Sequence, residues 1–412
     1  MKRRTVWLGS FLAGFGAIAI ACGSSSDGAG DGDSGVNPKG DGGTNDDGND
    51  AGATACTPQG TPDDHVRNVI VSFPFDAAGD KATKFELLSL AVDGTLTDTG
   101  KSFQMGTATS QPILFTPDGR IAVVAQDDGT IGVVRIDDGN PVVVNSGFQG
   151  SFYASSLVMD PSGSHLYALD EDTSDNGGGV YEVDIACDGT LTDNGQIVPG
   201  SNAQAMGFVP SSTRAVLSGA AAFDSPDGSD THLVDFSDGG ASLVASGNGF
   251  QDGGAIVYSV AVMPDGKFAL AADDGFGHGN RIAVVKVPEM TSAQVIDTSN
   301  PAAVAASPYG NAALVLNSEG TDGLHILSYN PSSASPFAIV GEVAYKNPKP
   351  QLPSYYSQIN RGALKGRVLV AELSAVRQVS FEPDAGVTDV SYFNFDKDGG
   401  FETIVGVVGV EP

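Results

Sequence analysis

The sequence predicts an all-β fold, and three of its features lead to that prediction. Short apolar stretches of strand length recur about every 10 to 12 residues. Pro-x-Gly and Asp-Gly turns separate them, and no stretch has the periodicity of a long amphipathic helix. The third feature is an internal repeat, which predicts how the strands are grouped.

Seven segments share one pattern, an apolar strand that begins at a basic or polar residue. They begin at Arg67, Arg120, Ser164, Arg214, Lys267, Asn311 and Arg367, with starts 44 to 56 residues apart. Four follow a Pro-x-Gly turn, at residues 117–119, 161–163, 264–266 and 308–310, and residues 210–212 (Pro-Ser-Ser) take that place in a fifth. One apolar strand leads into each turn and further strands follow, so the repeating unit has four strands.

A second repeat is independent of the first. The hexapeptide Asp-Gly-Thr-Leu-Thr-Asp occurs at residues 93–98 and again at 188–193, two periods further on. Each copy falls between the third and fourth strand of its unit. Both repeats therefore predict the same register of seven units.

Seven four-stranded antiparallel units are best closed into a ring, because closure protects the edges of the sheets. The sequence thus predicts a seven-bladed β-propeller over residues 61–412. Its first unit begins at a second strand, and residues 401–410 form an apolar strand without a unit. We expect this C-terminal strand to become the innermost strand of blade 1; a hairpin within blade 7 is the alternative.

The N-terminus predicts export. Three basic residues precede an uncharged apolar stretch at residues 6–21, which is too short for a membrane-spanning helix and fits a signal peptide over residues 1–21. Its end, Ala-Ile-Ala-Cys22, resembles a lipobox, with Ala19 where leucine is commoner. Cleavage before a lipidated Cys22 would anchor the protein in a membrane, and Gly23 rather than aspartate favours the outer membrane. Ordinary cleavage with an incidental Cys22 is the alternative.

Residues 22–60 consist almost wholly of Gly, Ser, Asp, Asn, Thr and Ala, a composition that predicts a disordered linker. The net charge of the chain is −29 and becomes about −32 without the three basic residues of the signal. Such a charge argues against nucleic acid as a partner and against charge-driven docking on anionic lipid.

The other two cysteines, Cys56 and Cys187, would lie in an envelope compartment, where disulfides persist. A bridge between them would close a loop of roughly 130 residues and contribute about 5 kcal/mol by chain entropy. Two unpaired thiols are the alternative.

The strand–turn cadence, together with Asp-Gly-Thr-Leu-Thr, resembles seven-bladed propellers of the lactonase (6-phosphogluconolactonase-like) and YVTN-repeat type over residues 65–412. Members of the lactonase type carry histidine, arginine and glutamate in their innermost strands. The matching strands here, at residues 111–115, 154–159, 204–208, 258–262 and 301–305, contain neither histidine nor glutamate. The resemblance therefore carries over no catalytic residue.

One motif predicts a metal site: Asn394-x-Asp396-x-Asp398-Gly399-x-x-Glu402. Its spacing is similar to that of calcium loops, in which hard oxygen donors converge around a sharp glycine turn. A plain acidic hairpin turn is the alternative. Serine-hydrolase, zinc-protease and P-loop motifs are absent. The five histidines fall in separate units without ligand spacing, at positions 65, 165, 232, 278 and 325.

Acidic loops follow three of the second strands, at residues 170–179, 224–230 and 273–278, and strand alternation places them on one face with the Asp398 loop. Residues 346–367, which hold five basic residues, are expected to form a long loop between blades. The function expected is non-enzymatic: a lipid-anchored outer-membrane module that binds a protein, saccharide or small molecule at an acidic face. A lactonase-like hydrolase or isomerase with other active-site residues is the alternative.

Overall fold

The computed structural model describes residues 64–412 except 77–78, 110–112, 172–177, 201, 220–228, 238–239, 251–256, 274–279, 319–322, 385 and 397–403. Within these ranges the chain forms 28 β-strands and no α-helix. In chain order they are β1 (Arg67–Phe75), β2 (Lys81–Leu90), β3 (Leu96–Gln104), β4 (Leu114–Phe115), β5 (Ile121–Ala125), β6 (Ile131–Asp137), β7 (Asn140–Phe148), β8 (Ser156–Met159), β9 (His165–Asp170), β10 (Gly179–Ile185), β11 (Leu191–Pro199), β12 (Ala203–Phe208), β13 (Arg214–Gly219), β14 (Thr231–Asp235), β15 (Ser242–Gly247), β16 (Val257–Val262), β17 (Phe268–Asp273), β18 (Arg281–Lys286), β19 (Thr291–Asp297), β20 (Pro301–Ala306), β21 (Ala312–Asn317), β22 (Leu324–Tyr329), β23 (Phe337–Glu342), β24 (Tyr356–Gln358), β25 (Arg367–Glu372), β26 (Ala375–Phe381), β27 (Val387–Asn394) and β28 (Val408–Val410).

The strands pair into seven four-stranded antiparallel sheets, one for each predicted blade. The first sheet has the order β28-β1-β2-β3, and each of the other six uses four consecutive strands, from β4–β7 to β24–β27. The prediction of a seven-bladed propeller with four strands per blade is confirmed.

The middle strands of the blades have continuous apolar sequences because both of their faces are buried. All five residues of β5 are buried, because neighbouring blades cover both faces of the sheet, whereas β7 at the rim alternates between half-buried and exposed residues. The core lies between blades: one buried cluster contains Val133 of β6 in blade 2 and Leu166 of β9 in blade 3.

The C-terminal strand completes the first blade, as the sequence predicted. β28 pairs antiparallel with β1, with Val410 opposite Val69 and Val408 opposite Val71. Just before it, the Val407 amide donates to Ser72 Oγ at 2.9 Å, and the Ser72 amide donates to the Val407 carbonyl at 3.0 Å. The alternative, a hairpin within blade 7, is not what forms.

Both copies of the repeated hexapeptide lie at turns between the third and fourth strands of a blade, in blades 1 and 3. In each, the first aspartate accepts a hydrogen bond from the threonine amide two residues later at 2.9 Å (Asp93 from Thr95, Asp188 from Thr190). The glycine between them has a positive φ, 86° at Gly94 and 91° at Gly189, a conformation that glycine adopts without strain. The identical sequences therefore encode identical turns.

Strand alternation gives the propeller two distinct faces. Loops between second and third strands, and from a fourth strand to the next blade, lie on one face, which we call the upper face. Turns between first and second strands, and between third and fourth, lie on the lower face. All described residues belong to the compact unit Gly52–Pro412, and none of them forms a helix long and apolar enough to cross a membrane.

Residues 346–367 are more than the loop that the sequence led us to expect. They contain β24, the innermost strand of blade 7, flanked by a loop on each side. The sequence did not predict β24, because this strand has only three residues and lies among prolines and lysines.

Candidate functional site

The seven innermost strands surround a central cavity of about 400 Å³. Every blade contributes: β28, β4, β8, β12, β16, β20 and β24 all place residues in its wall. A cavity of this size, at the axis of a propeller, can hold a small molecule. Because all seven blades contribute to its wall, it is the candidate functional site.

The side chains that line this cavity are uncharged. Apolar side chains such as Ile113, Leu157 and Met206 alternate with uncharged polar ones, which are Ser156, Tyr258, Ser259, Tyr355, Tyr356, Ser357, Gln358 and Asn360. Among the described residues, no carboxylate, imidazole, ammonium or guanidinium side chain lines it. The arrangement suits binding by van der Waals contact and neutral hydrogen bonds.

Several of the polar groups connect neighbouring inner strands. The Tyr356 hydroxyl on β24 donates to the Val304 carbonyl on β20 at 2.7 Å, and the Val304 amide donates to Ser259 Oγ on β16 at 3.1 Å. On the other side of β24, Ser357 Oγ accepts a hydrogen bond from the Val410 amide on β28 at 3.0 Å. Burial raises the pKa of Tyr356, so its hydroxyl stays protonated as a donor. These bonds fix the shape of the wall before any ligand arrives.

A second cavity of about 440 Å³ opens on the lower face beside the first. Three prolines from the turns of blades 4, 5 and 6 line it, together with Lys365, and it shares Tyr356 with the central cavity. Lys365 therefore places a positive charge beside the channel on the lower face.

Comparison with known proteins gives a likeness in fold. No protein-family model matches the sequence, and no curated protein matches it. Similar solved structures include a candidate 6-phosphogluconolactonase from Bacteroides fragilis (13% identity, 85% of this chain and 99% of that chain, TM-score 0.60). A second candidate 6-phosphogluconolactonase, from Bacteroides uniformis, is 15% identical (84% and 99%, TM-score 0.60). The periplasmic gluconolactonase of Pseudomonas aeruginosa is 13% identical (80% and 96%, TM-score 0.57). This chain is a seven-bladed propeller similar to 6-phosphogluconolactonase-like structures.

In this propeller, each predicted acidic loop of the upper face begins or ends with a carboxylate that is nearly buried. Asp170, Asp230 and Asp273 are all nearly buried. Asp230 accepts hydrogen bonds from the amides of Gly249 at 2.6 Å and Phe250 at 3.2 Å. Asp273 pairs with Arg281 at 3.2 Å. These carboxylates secure the loop ends, and residues 172–177, 220–228 and 274–279 lie outside the described residues.

Only half of the predicted calcium ligands can be placed. Asn394 ends β27, and its side chain bonds locally: Oδ1 accepts from the Asp396 amide at 3.0 Å, and Nδ2 donates to the Asp396 carbonyl at 2.9 Å. The Asp396 side chain is nearly buried. Asp398 and Glu402 lie outside the described residues, so the four-residue calcium site stays a prediction.

The cysteine predictions also fall mostly outside the described residues. Cys187 lies in the turn after β10 and is disulfide-bonded. Cys22 and Cys56 lie outside the described residues. The Cys56–Cys187 pairing and the lipidation of Cys22 therefore stay predictions.

Sequence reasoning missed a buried ionic network in blade 7. Arg377, fully buried on β26, donates from Nε to Glu372 and from Nη1 to Asp389 at 3.0 Å, and also to the Pro348 carbonyl. Asp389 in turn accepts the amide hydrogen of Lys346 at 2.8 Å. The network thus holds the basic loop before β24 over the upper face. Its signal in the sequence is an arginine and a glutamine in the middle of an apolar strand.

Burial raises the pKa of Glu372 to about 7. The cause is desolvation of a carboxyl group that is 2% exposed, which exceeds the opposite effect of Arg377. Since one guanidinium faces two carboxylates, protonation of Glu372 leaves the network neutral. Strongly shifted groups can mark functional sites, but Glu372 does not line the central cavity. Through its contact with Arg377, Glu372 helps to attach the basic loop before β24.

Proposed function

We propose that this protein is a binding module and not an enzyme, a lipid-anchored propeller displayed at the outer membrane. The supporting observation is that the side chains that line the central cavity are uncharged. A lactonase-like reaction at the channel needs at least two ionisable groups there. Among the described side chains of the wall, only the tyrosine hydroxyls are ionisable.

The same wall suggests a class of ligand. Tyr258, Tyr355 and Tyr356 offer aromatic faces, and the serine, glutamine and asparagine side chains offer neutral donors and acceptors. Aromatic faces combined with neutral hydrogen-bonding groups suit a small uncharged polyhydroxylated molecule such as a saccharide. The net charge of −29 disfavours anionic ligands and would favour neutral or cationic ones.

Calorimetric titration with a panel of neutral mono- and disaccharides tests this proposal. We expect binding to at least one neutral sugar and much weaker binding to the matching sugar phosphate. Tyr258 lines the cavity and lies outside the main core clusters, so Tyr258→Ala should weaken binding at least tenfold with little loss of stability. Tyr309→Ala removes an exposed tyrosine that does not line the central cavity and serves as the control. If the two substitutions weakened binding equally, the central cavity would not be the binding site.

The lipid anchor is the second part of the proposal and rests on the sequence around Cys22. Cys22→Ser should abolish labelling by a radioactive or clickable fatty acid and release the protein from the membrane fraction. A substituted protein that is still acylated and membrane-bound would overturn the anchor.

Calcium at residues 394–402 is proposed on sequence spacing. Bound calcium would relieve repulsion among Asp396, Asp398 and Glu402 and stabilise the folded state by about 2.7 kcal/mol at a hundredfold excess over Kd. Melting midpoints in calcium and in chelator should therefore differ by a few degrees. The double substitution Asp396→Ala, Asp398→Ala should abolish the difference. If the unsubstituted protein had the same melting midpoint in calcium and in chelator, the loop would be a plain acidic turn without bound calcium.

A further inference from the structure

A cluster of metal-ligating side chains lies in blade 3, away from the central cavity. His165 begins β9, and Glu182 and Asp184 lie on the neighbouring strand β10. Asp184 is directly opposite His165 in the ladder, and Glu182 is two residues away on the same strand. Because side chains alternate along a strand, all three lie on one side of the sheet.

The three ligand atoms are close together. His165 Nδ1 is 3.0 Å from Glu182 Oε1 and 3.1 Å from Asp184 Oδ1. All three atoms lie within 4.8 Å of one another. In a tetrahedral zinc site with bonds of about 2.0 to 2.1 Å, neighbouring ligand atoms are roughly 3.3 Å apart. Small side-chain adjustments would bring the three atoms to that spacing.

The charges of this cluster favour a cation. Two carboxylates converge on one imidazole nitrogen, which has at most one proton to share between them. Among the described residues, neither Glu182 nor Asp184 forms an ion pair with a lysine or arginine. Even a protonated His165 would leave a surplus negative charge, and close carboxylates repel one another unless a cation lies between them.

A buried tyrosine lies next to the cluster on β9. Tyr167 is opposite Glu182 in the ladder, two residues from His165, and only 4% exposed. Its ring packs against Phe236 of blade 4, with centroids 4.8 Å apart. This packing fixes β9 against the next blade.

We propose that His165, Glu182 and Asp184 bind a divalent transition-metal ion of the Zn²⁺ class. One imidazole and two carboxylates are ligands that zinc accepts, whereas calcium and magnesium prefer oxygen alone. Water completes the coordination, because the side chains of His165 and Asp184 are 43% and 50% exposed and leave the ion open to solvent. This site differs from the proposed calcium loop in position and in ligand chemistry.

Titration of the full-length protein with Zn²⁺, followed by calorimetry and by metal analysis after dialysis, tests the site. We expect one tight equivalent that His165→Ala and Asp184→Asn each weaken at least tenfold, since even outer-shell changes cost about 10 to 100-fold. The control is Glu86→Gln, which removes a half-buried strand carboxylate that pairs with Lys84 in blade 1. Weak sites elsewhere in the acidic chain are present in every variant, so the differences isolate this cluster.

A direct readout does not depend on how well the variants fold. Co²⁺ added to the unsubstituted protein should give the visible absorption of a low-coordinate site with a nitrogen ligand, and Zn²⁺ should displace it. The proposal fails if the unsubstituted protein binds no tight equivalent or if binding persists unchanged in His165→Ala. It also fails if Glu86→Gln loses the ion as fully as Asp184→Asn does.

Discussion

At the scale of single residues, turn glycines connect the sequence to the fold. The four Pro-x-Gly turns place their glycine at φ values between 67° and 75°, where a side chain is strained. In the Pro-Ser-Ser turn at residues 210–212, the positive φ lies one residue earlier in the turn, at Ser211 (57°). The sequence predicted where these turns lie, because proline and glycine restrict the backbone locally. It did not predict this shift within the fifth turn.

Gly163 makes this argument testable. It has a φ of 75°, and a Cβ atom there would lie 2.0 Å from Cδ of Pro117 in the turn of the neighbouring blade. Gly163→Ala should therefore cost about 1 to 2 kcal/mol for the backbone and a similar amount for the collision. Gly195→Ala is the matched control, with a φ of 93° and open space around it. Chemical denaturation of both variants measures the difference, and equal losses of stability would show that the two turns do not pack as described.

At the scale of strands and sheets, apolar runs predicted the second and third strands well, since both of their faces are buried. What they could not predict is the ionic network of Arg377, Glu372 and Asp389. It depends on residues 346–349 folding back over blade 7, a contact between segments that are distant in the sequence. A buried arginine is tolerated there because two carboxylates and a carbonyl satisfy it.

Glu372 should make the stability of the propeller depend on pH. Its pKa rises from 4.5 to about 7 on folding, so between these values the folded state holds a proton that the unfolded state has released. The free energy of unfolding therefore falls as the pH rises from about 4.5 to 7. Glu372→Gln removes the titrating group and keeps an oxygen for Arg377, so the variant should lose less stability over that interval. Denaturation of both proteins at pH 5 and pH 8 measures the two slopes; parallel slopes would contradict the shifted pKa.

At the scale of the whole molecule, ring closure was predictable because one strand was missing at the start and one was left over at the end. The uncharged side-chain lining of the cavity was predictable only in part. The sequence showed that five inner strands lack histidine and glutamate. Tyr355, Tyr356 and Gln358 entered the wall only once β24 was found, and that required the ring to be complete.

Two valines test the closure. Val408 on β28 is fully buried against the first blade, whereas Val340 on the rim strand β23 is 61% exposed. Val408→Ala should cost about 2 kcal/mol by transfer and cavity formation, and Val340→Ala less than about 0.5 kcal/mol. The corresponding change in the melting midpoint of so large a domain is a few degrees. If Val408→Ala proved as harmless as Val340→Ala, the terminal strand would not be docked in solution.

We propose that this propeller binds a ligand in its central channel without turning it over. The most direct test of this claim is the hydrolysis of gluconolactone and 6-phosphogluconolactone by the purified protein, followed by proton release and compared with the spontaneous rate. We predict no acceleration that depends on protein concentration, at any pH between 6 and 8. Turnover that scales with protein and disappears in Tyr258→Ala, but not in Tyr309→Ala, would contradict the claim. It would assign the channel to the alternative function, a hydrolase that uses other active-site residues.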